Sequence, residues 1–488
     1  MKVNIKIILR ILSVIGLFTG FIFLIPILVG VLYSEPCTSI FAYTSAATIL
    51  LSSLLFYYSK SYSNLIGKRE GCLIVVSSWV FIGFISSFPY YYINDGLSYA
   101  SAIFESFSGL TTTGATIFAD LEALPKNILI WRSLTQWIGG MGIIVLTVAI
   151  FPIIGIGGVE LFVAESPGPT SNKLHPRIKE TAKRLWLIYV TLTLILTVIL
   201  RMEGMIWFDA INHGLTTMAT GGFSTKNDSI AFFDSALIQY TLVLFMFLAG
   251  INYTLIYAGV KGNFRKFWQN DEFKFYTSFV LAAIVVATMI ILTNTDQSLE
   301  LCFRQSCFQV ISLVTTTGYI SADYTAWSTF GTVFFFLLLF TGACAGSTTG
   351  GIKFIRHLVF GKNALLEFKR LLHPNALIRI RINNEIVRPR TITHILVFLL
   401  VYLFVFVIGT LIMSIILADV DQPLLSSLGS VATCLGNVGP AIGSYGATDN
   451  FFSIPDSGKL VLSLIMLIGR LELFSVMILF TAYFWRGE

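Results

Sequence analysis

Charged residues are scarce in this chain, and the residue types that build metal and disulfide frameworks are few and badly spaced. Only 12% of the 488 residues are charged and 55% are hydrophobic, which excludes an ordinary soluble domain. The 6 cysteines show no metal-ligand or disulfide spacing, and the 5 histidines include no H-E-x-x-H pair. We therefore expect no metal centre and no enzyme, and interpret the chain as a multispanning membrane protein.

Long apolar runs are what the sequence has instead. A helix needs roughly 20 apolar residues to cross a hydrocarbon core of ~30 Å. We predict ten spans, near 7–33, 37–58, 71–93, 128–153, 183–202, 236–259, 274–293, 327–353, 392–418 and 458–485. The first run is too long for a signal peptide and lacks a small-residue cleavage site, so we expect an uncleaved anchor.

The charges predict an orientation. If each span crosses once from a cytoplasmic amino terminus, most of the 32 Lys and Arg residues lie inside, together with both termini. The inner segments would then be 59–70, 154–182, 260–273 and 354–391. Most of the 26 acidic residues lie outside, among them Glu105, Asp120 and Asp209, and an acidic mouth concentrates cations. Solvated loop carboxylates are the plainer alternative. The net charge of +6 reflects this topology and gives no reason to expect nucleic acid as a partner. The basic inner loops, especially 354–391, favour contact with anionic lipid headgroups, and a docking face for a soluble partner stays open.

Four short Thr/Gly segments recur about a hundred residues apart. They comprise Thr112, Thr113 and Gly114; Thr220, Gly221 and Gly222; Thr316, Thr317 and Gly318; and the degenerate Cys434, Leu435 and Gly436. Each follows an apolar segment too short to cross, at 97–110, 206–219, 301–315 and 422–434. The order predicts an all-α integral membrane protein with four units of span, half-helix, filter segment and span around a central pore. The first two spans would form an added amino-terminal hairpin.

Backbone carbonyls can replace the water shell of a cation, and glycine reaches backbone angles that let successive carbonyls face one axis. A half-helix would also direct its carboxyl end, worth about −0.5 charge, towards the membrane centre. Close helix packing explains one Thr/Gly segment equally well. Four copies favour a selectivity filter, although Cys434 and Leu435 leave side-chain ligation on the fourth wall open.

A glycine-rich stretch, 342–351, interrupts the eighth span. Since Gly costs about 1 kcal/mol relative to Ala inside a helix, we expect an unwound segment that obstructs the path. A kinked helix is the alternative. Arg470, in the tenth span, is a buried charge that is seldom lipid-facing. It would either bond the carbonyls of that stretch or set a positive barrier, and a purely structural salt bridge remains open.

Together these features resemble a known family. The four segments, the Gly-Ser-Thr-Thr-Gly-Gly core at 346–351 and Gly-Arg-Leu-Glu at 469–472 resemble the TrkH family, the membrane subunits of the bacterial Trk potassium uptake system in the Trk/Ktr/HKT superfamily. The resemblance runs over essentially the whole chain. We divide the chain accordingly into a hairpin, 1–69, and pore units 70–160, 161–262, 263–375 and 376–488.

The resemblance implies potassium uptake across the bacterial inner membrane by a homodimer with one pore per subunit. It also implies control by a cytoplasmic nucleotide-binding partner, TrkA, so that any nucleotide is expected on the partner and potassium is the transported ligand here. The implied gate is the loop of Gly346, Ser347, Thr348, Thr349, Gly350 and Gly351, with Arg470 facing it.

Three alternatives stay open at this point. Preference for sodium is one, although the resemblance implies that some relatives with Ser in the first segment favour sodium, and this chain has Gly114 at that position. Coupling of potassium to protons or sodium is the second. A non-conducting sensor subunit is the third.

Overall fold

Apolar helices dominate the fold, as the sequence predicts. The computed structural model describes residues 4–60, 67–93, 96–142, 178–373 and 379–486. Among these residues, six helices are long and apolar enough to cross a membrane. They are Ile5–Ile22 continued by Leu24–Leu32, Thr38–Tyr58, Lys68–Tyr91, Ile178–Met202, Asp271–Asn294 and Pro389–Ile416.

The first two of these helices form the predicted amino-terminal hairpin. Ser45 donates its hydroxyl to the carbonyl of Gly20 at 2.8 Å. A Cβ built on Gly16 would lie 2.2 Å from Ser52 Oγ, so only glycine allows the two helices to approach this closely. Small residues and side-chain hydrogen bonds of this kind hold membrane helices together where the hydrophobic effect gives no preference.

Four short helices occupy the predicted half-helix positions, and we call them the first to fourth half-helices. They are Tyr99–Leu110, Trp207–Met218, Leu299–Val314 and Pro423–Gly436. Ser98 caps the first by accepting the Ser101 N–H at 3.1 Å, and Pro423 opens the fourth at a position where its missing N–H costs nothing. Local sequence signals therefore mark where the first and fourth half-helices begin.

The second helix of each unit ends before the end of the predicted span, and residues 143–153 of the first such span lie outside the part of the chain that the structure describes. These helices are Lys126–Gly140, Ala236–Ala249, Thr329–Leu338 and Asp456–Arg470. The reason is visible in the first and fourth, which meet the end of a half-helix. A Cβ on Gly139 would lie 1.8 Å from the Leu110 carbonyl oxygen, and one on Gly469 would lie 2.2 Å from that of Leu435.

Two predicted spans are consequently bent rather than continuous. Ala236–Ala249 turns by 106° into Tyr253–Val260, and Asp456–Arg470 turns by 113° into Phe474–Phe480. A third predicted span, 327–353, stops being helical after Leu338. Among the described residues, six helices, or up to eight if each bent pair counts as one span, could cross a membrane, against the ten spans predicted. The break in the eighth predicted span agrees with the glycine-rich stretch expected to interrupt it.

One further long helix, Phe354–Leu372, has 19 residues. The other elements are short: the helices Arg265–Gln269, Phe474–Met477 and Ala482–Arg486, three 3₁₀ turns at Ser229–Phe232, Gly443–Tyr445 and Ile478–Phe480, and strands Arg381–Ile382 and Glu385–Ile386. The strands pair antiparallel, with Arg381 opposite Ile386. Asn383 and Asn384, at φ 50° and 65°, form the turn between them, which suits a two-residue hairpin. The unit boundaries at 160 and 375, and most of the segment 154–182, lie outside the described residues.

Candidate functional site

All four half-helices end in the same way. The residue after the last turn has positive φ, and a glycine two positions later is also left-handed. The first residues are Thr112, Thr220, Thr316 and Asn437, at φ 54°, 52°, 53° and 54°, and the glycines are Gly114, Gly222, Gly318 and Gly439, at 83°, 76°, 78° and 107°. Threonine is an uncommon residue at positive φ, and such strain clusters at functional sites.

Hydrogen bonds fix the same geometry in each unit. The residue between these two positions donates its N–H to the carbonyl five residues earlier, as in the Schellman motif at a helix end. The bonds run from Thr113 to Ser108 at 2.9 Å, Gly221 to Thr216 at 2.9 Å, Thr317 to Ser312 at 2.8 Å and Val438 to Thr433 at 3.0 Å. Four equivalent three-residue segments follow: 112–114, 220–222, 316–318 and 437–439.

The predicted fourth segment is therefore out of register. Cys434, Leu435 and Gly436 are helical, in the last turn of the fourth half-helix, and Asn437, Val438 and Gly439 occupy the position after it. In the sequence, Thr433 precedes Gly436 by three positions, as Thr315 precedes Gly318, which produced the wrong register. Thr433 corresponds structurally to Ser108. A polar residue two positions before glycine, common to all four segments, is the signal that would have found Asn437.

The four segments form a closed ring in which each contacts the next. A Cβ on each glycine would collide with the carbonyl oxygen of the middle residue of a neighbouring segment. The distances are 2.2 Å from Gly114 to Gly221, 2.0 Å from Gly222 to Thr317, 1.9 Å from Gly318 to Val438 and 2.6 Å from Gly439 to Thr113. Real Cβ atoms essentially never approach within 3.0 Å, so the ring requires glycine at these four positions.

Two polar side chains one turn apart support the ring from behind, and the sequence analysis missed their role. Gln136 donates to the Gly221 carbonyl at 2.6 Å and accepts the Phe223 N–H at 3.1 Å. Arg132 donates to the Ser224 carbonyl at 3.1 Å. Their i, i+4 spacing in a helix is the sequence signal that points both at the same neighbour.

Arg132 also corrects the predicted outer charges. It forms an ion pair with Glu105 at 2.8 Å, with the two side chains 1% and 0% exposed. Glu105 accepts the Ile117 N–H at 2.9 Å as well. Asp209 is likewise buried and accepts the Thr225 hydroxyl at 2.7 Å. Glu105 and Asp209 are thus internal hydrogen-bond acceptors of the ring surroundings rather than part of a solvated mouth.

Asp120, in contrast, is exposed. Its carboxylate accepts a hydrogen bond from Asn227 at 3.0 Å, in the loop that follows the second segment. That bond, helped by the Ala123 N–H, holds the pKa of Asp120 below its ordinary value. The carboxylate is consequently ionised at neutral pH.

The glycine-rich stretch is not helical and contacts the ring. Its ends pair through the Gly342 N–H and the Ile352 carbonyl at 2.9 Å, which makes 339–353 a closed intramembrane loop. Gly350 donates its N–H to Thr316 Oγ1 at 2.8 Å. Thr348 donates to the Met218 carbonyl, at the end of the second half-helix, at 3.1 Å. The loop therefore lies against the carboxyl ends of the half-helices.

Arg470 contacts this loop, as the sequence suggested. It donates to the Thr348 carbonyl at 3.0 Å and to the Gly139 carbonyl at 2.6 Å. The bend at Glu472 and Leu473, both with positive φ, ends the helix just after Arg470. Glu472 forms an ion pair with Arg356, at the start of the helix that follows the loop. The guanidinium of Arg470 thus bridges the loop and the carboxyl end of Lys126–Gly140, the second helix of the first unit.

Comparisons with known proteins agree with this architecture. The family profile of TrkH, described as cation transport protein, matches residues 38–486. The Trk system potassium uptake protein TrkH of Escherichia coli is 40% identical over 474 residues, covering 96% of this chain and 97% of the relative. Its counterpart from Halomonas elongata is 35% identical over 486 residues, covering 99% and 100%. The crystal structure of the potassium transporter TrkH from Vibrio parahaemolyticus matches with a TM-score of 0.88 and 35% identity over 100% of both chains.

Proposed function

The chain belongs to the TrkH family of cation transport proteins, and from this premise we propose that it carries potassium into the bacterial cell across the inner membrane. The ion would pass through the ring of four segments. The observation that supports this most directly is that the ring is closed, is built from four equivalent turns and requires glycine in each. Carbonyl oxygens held in that way can replace the water around a monovalent cation.

We assign the selectivity filter to Thr112, Thr113 and Gly114; Thr220, Gly221 and Gly222; Thr316, Thr317 and Gly318; and Asn437, Val438 and Gly439. The last three replace Cys434, Leu435 and Gly436 of the sequence-based assignment. The half-helices add their carboxyl-terminal dipoles, which favour a cation near the ring. No cofactor is needed for this process, because desolvation and ligation by carbonyls are the whole chemistry.

The intramembrane loop is the proposed gate. Gly346, Ser347, Thr348, Thr349, Gly350 and Gly351 lie against the filter on the side of the half-helix carboxyl ends. Arg470 would hold the loop there, since a charged donor binds a carbonyl more strongly than a neutral one. Opening then requires the loop to leave Arg470, Met218 and Thr316.

The partner proposals rest on the family. We propose that the chain works as a homodimer with one pore per subunit, and that a cytoplasmic nucleotide-binding subunit of the TrkA type controls the gate. Arg381, Arg388 and Arg390 are exposed around the β-hairpin and give a basic surface for such a subunit. Both chain termini would be cytoplasmic. Co-purification with TrkA tests this point, and absence of any effect of TrkA on flux would contradict it.

The central experiment is rubidium uptake into potassium-loaded vesicles that contain the purified protein. We expect uptake that external potassium blocks strongly and sodium blocks weakly, with a Gly318→Asp variant as the inactive control. Equal competition by sodium would favour the sodium-permeable alternative. No uptake with or without TrkA would favour the sensor alternative.

Gly114→Ser sharpens the assignment of the filter. A Cβ at this position would lie 2.2 Å from the Gly221 carbonyl oxygen, so the serine must displace a carbonyl of the ring. We expect the preference for potassium over sodium to fall. An unchanged preference in a folded variant would contradict the filter assignment.

A further inference from the structure

A buried carboxylate holds both ends of the intramembrane loop, and neither the family resemblance nor the sequence motifs point to it. Glu272 is the second residue of the helix Asp271–Asn294 and is only 6% exposed. A buried carboxylate is costly unless hydrogen bonds satisfy it. The burial of Glu272 therefore needs a structural explanation.

One oxygen of Glu272 accepts two main-chain hydrogen bonds. Oε1 lies 2.7 Å from the Ala345 N and 3.1 Å from the Ile355 N. These residues lie on opposite sides of the loop core, one just before Gly346 and the other just after Lys353. A single side chain thus joins the segment that enters the loop to the first turn of the helix Phe354–Leu372 that follows it.

The other bonds of the loop do not replace this one. The neck is also closed by Gly342 N–H to the Ile352 carbonyl and by Phe354 N–H to the Ala343 carbonyl, at 2.9 and 3.2 Å. Neither satisfies the N–H groups of Ala345 and Ile355. If the carboxylate were removed, two donors in a buried neck would lose their acceptor, and an unpaired buried N–H favours any movement that exposes it to water.

We propose that Glu272 is a positioning residue that keeps the loop neck closed and so holds the loop against the ring. The inference rests on the proposed function, because closure matters for transport only if the loop is the gate. Arg470 holds the loop core through Thr348, whereas Glu272 holds the loop ends. The two act at different places on the same segment.

The helix start that carries Glu272 also binds the β-hairpin. Asp271 accepts the Asn383 N–H at 3.0 Å and the Lys362 ammonium at 3.3 Å, and its own N–H donates to Asn383 Oδ1 at 2.7 Å. We call Glu272 and its two hydrogen bonds to the loop ends the clamp. Its neighbour in the sequence, Asp271, therefore contacts a surface element that carries exposed basic side chains. Asp271 is unsuitable as a neutral control for this reason.

Thiol labelling of Cys344 tests the clamp without relying on transport. Cys344 is 1% exposed and lies in the loop neck beside Ala345. In a background where the other five cysteines are replaced by alanine, a membrane-permeant maleimide reports how often the neck opens. We expect Glu272→Ala to label roughly tenfold faster or more, because both acceptor contacts are lost.

Two variants separate the clamp from general loss of structure. Glu272→Gln keeps an acceptor oxygen at the same reach, so we expect labelling near the parent rate, while Glu272→Asp should be intermediate because its carboxylate is one methylene shorter. Glu300→Ala removes an exposed glutamate at a helix start in the same unit and should label at the parent rate. Equal rates for Glu272→Ala and the parent would overturn the proposal, as would a Gln variant as fast as the Ala variant.

Rubidium uptake in the same variants completes the test. We expect Glu272→Ala to raise basal uptake while the potassium-to-sodium preference stays at the parent value, since the ring is untouched. If Glu272→Ala labels faster but uptake is absent even in the parent, the clamp stands and the proposed function fails. If labelling is faster and uptake in an active parent is unchanged, the loop neck does not control the path and the proposed role of Glu272 is overturned.

Discussion

The ring and the loop beneath it are both irregular backbone inside an apolar helical protein, yet different interactions stabilise them. The ring is made of main-chain geometry that each unit repeats, with positive φ, a Schellman end and glycine contacts between neighbours. The loop depends on side chains from other elements, notably Arg470 and Glu272. Irregular backbone at membrane depth must be buried in protein or line a path, and here the two regions meet that requirement in different ways.

The difference predicts two kinds of mutant. A change in the ring deforms carbonyls that are already in van der Waals contact, so it should reduce uptake or selectivity. A change in the loop contacts shifts an equilibrium between positions of the loop, so it should raise basal uptake and leave selectivity intact. The predictions below test this contrast, beginning with the largest expected effect.

Gly318→Ala should lower rubidium uptake roughly tenfold or more, since strain at such a φ alone costs about 1–3 kcal/mol. The new Cβ would also lie 1.9 Å from the Val438 carbonyl oxygen. The matched control is Gly361→Ala, on an exposed helix where a Cβ meets nothing within 4 Å. Similar uptake in the two variants would mean that the ring tolerates displacement and that the contrast is wrong.

Gly439→Ala should reduce uptake or potassium preference several-fold, while Cys434→Ala should stay within about twofold of the parent because a small core change keeps the turn. Gly439 has φ 107° and its Cβ would lie 2.6 Å from the Thr113 carbonyl oxygen, whereas Cys434 is helical. Vesicle uptake with sodium competition measures both. A larger loss of uptake in Cys434→Ala than in Gly439→Ala would support the sequence-based assignment of Cys434, Leu435 and Gly436 to the filter.

Arg470→Ala should raise basal uptake a few-fold with unchanged ion preference. A hydrogen bond from a charged group contributes about 1.5–3 kcal/mol, and water that hydrates the freed carbonyls would replace part of that contribution. The carbonyls of Thr348 and Gly139 lose their donor in this variant. Arg265→Ala, at an exposed arginine, controls for loss of one positive charge. Lower or equal uptake in a folded Arg470→Ala protein would show that Arg470 does not hold a gate closed.

Much of the fold follows from local features of the chain. Apolar length locates the six long helices, and Ser98 and Pro423 are start signals that mark half-helices too short to cross. The early ends of the second helices were not predictable in this way. Gly139 and Gly469 look like ordinary small residues until the backbone of the same unit's half-helix lies against them.

The candidate site shows the same division. Three of the four segments were found because Thr-x-Gly repeats in the sequence, while the fourth was misplaced because Thr433 imitates the motif one turn early. Glu105 was assigned to an acidic outer mouth from the predicted topology, although Arg132 is the buried partner that makes its burial possible. Pairing between distant residues is not recorded in local composition.

By itself, the sequence determined that this protein spans the membrane, where its helices begin, that four similar turns recur and that a glycine-rich stretch breaks the eighth apolar run. These properties depend on hydrophobic length and on backbone preferences, which act over a few neighbouring residues. Only the tertiary structure decided which residue of each turn joins the ring, that Asn437 begins the fourth segment, and that Glu272 and Arg470 hold the loop. Those outcomes depend on hydrogen bonds and close contacts between residues far apart in the chain, and such contacts exist only once the four units have packed together.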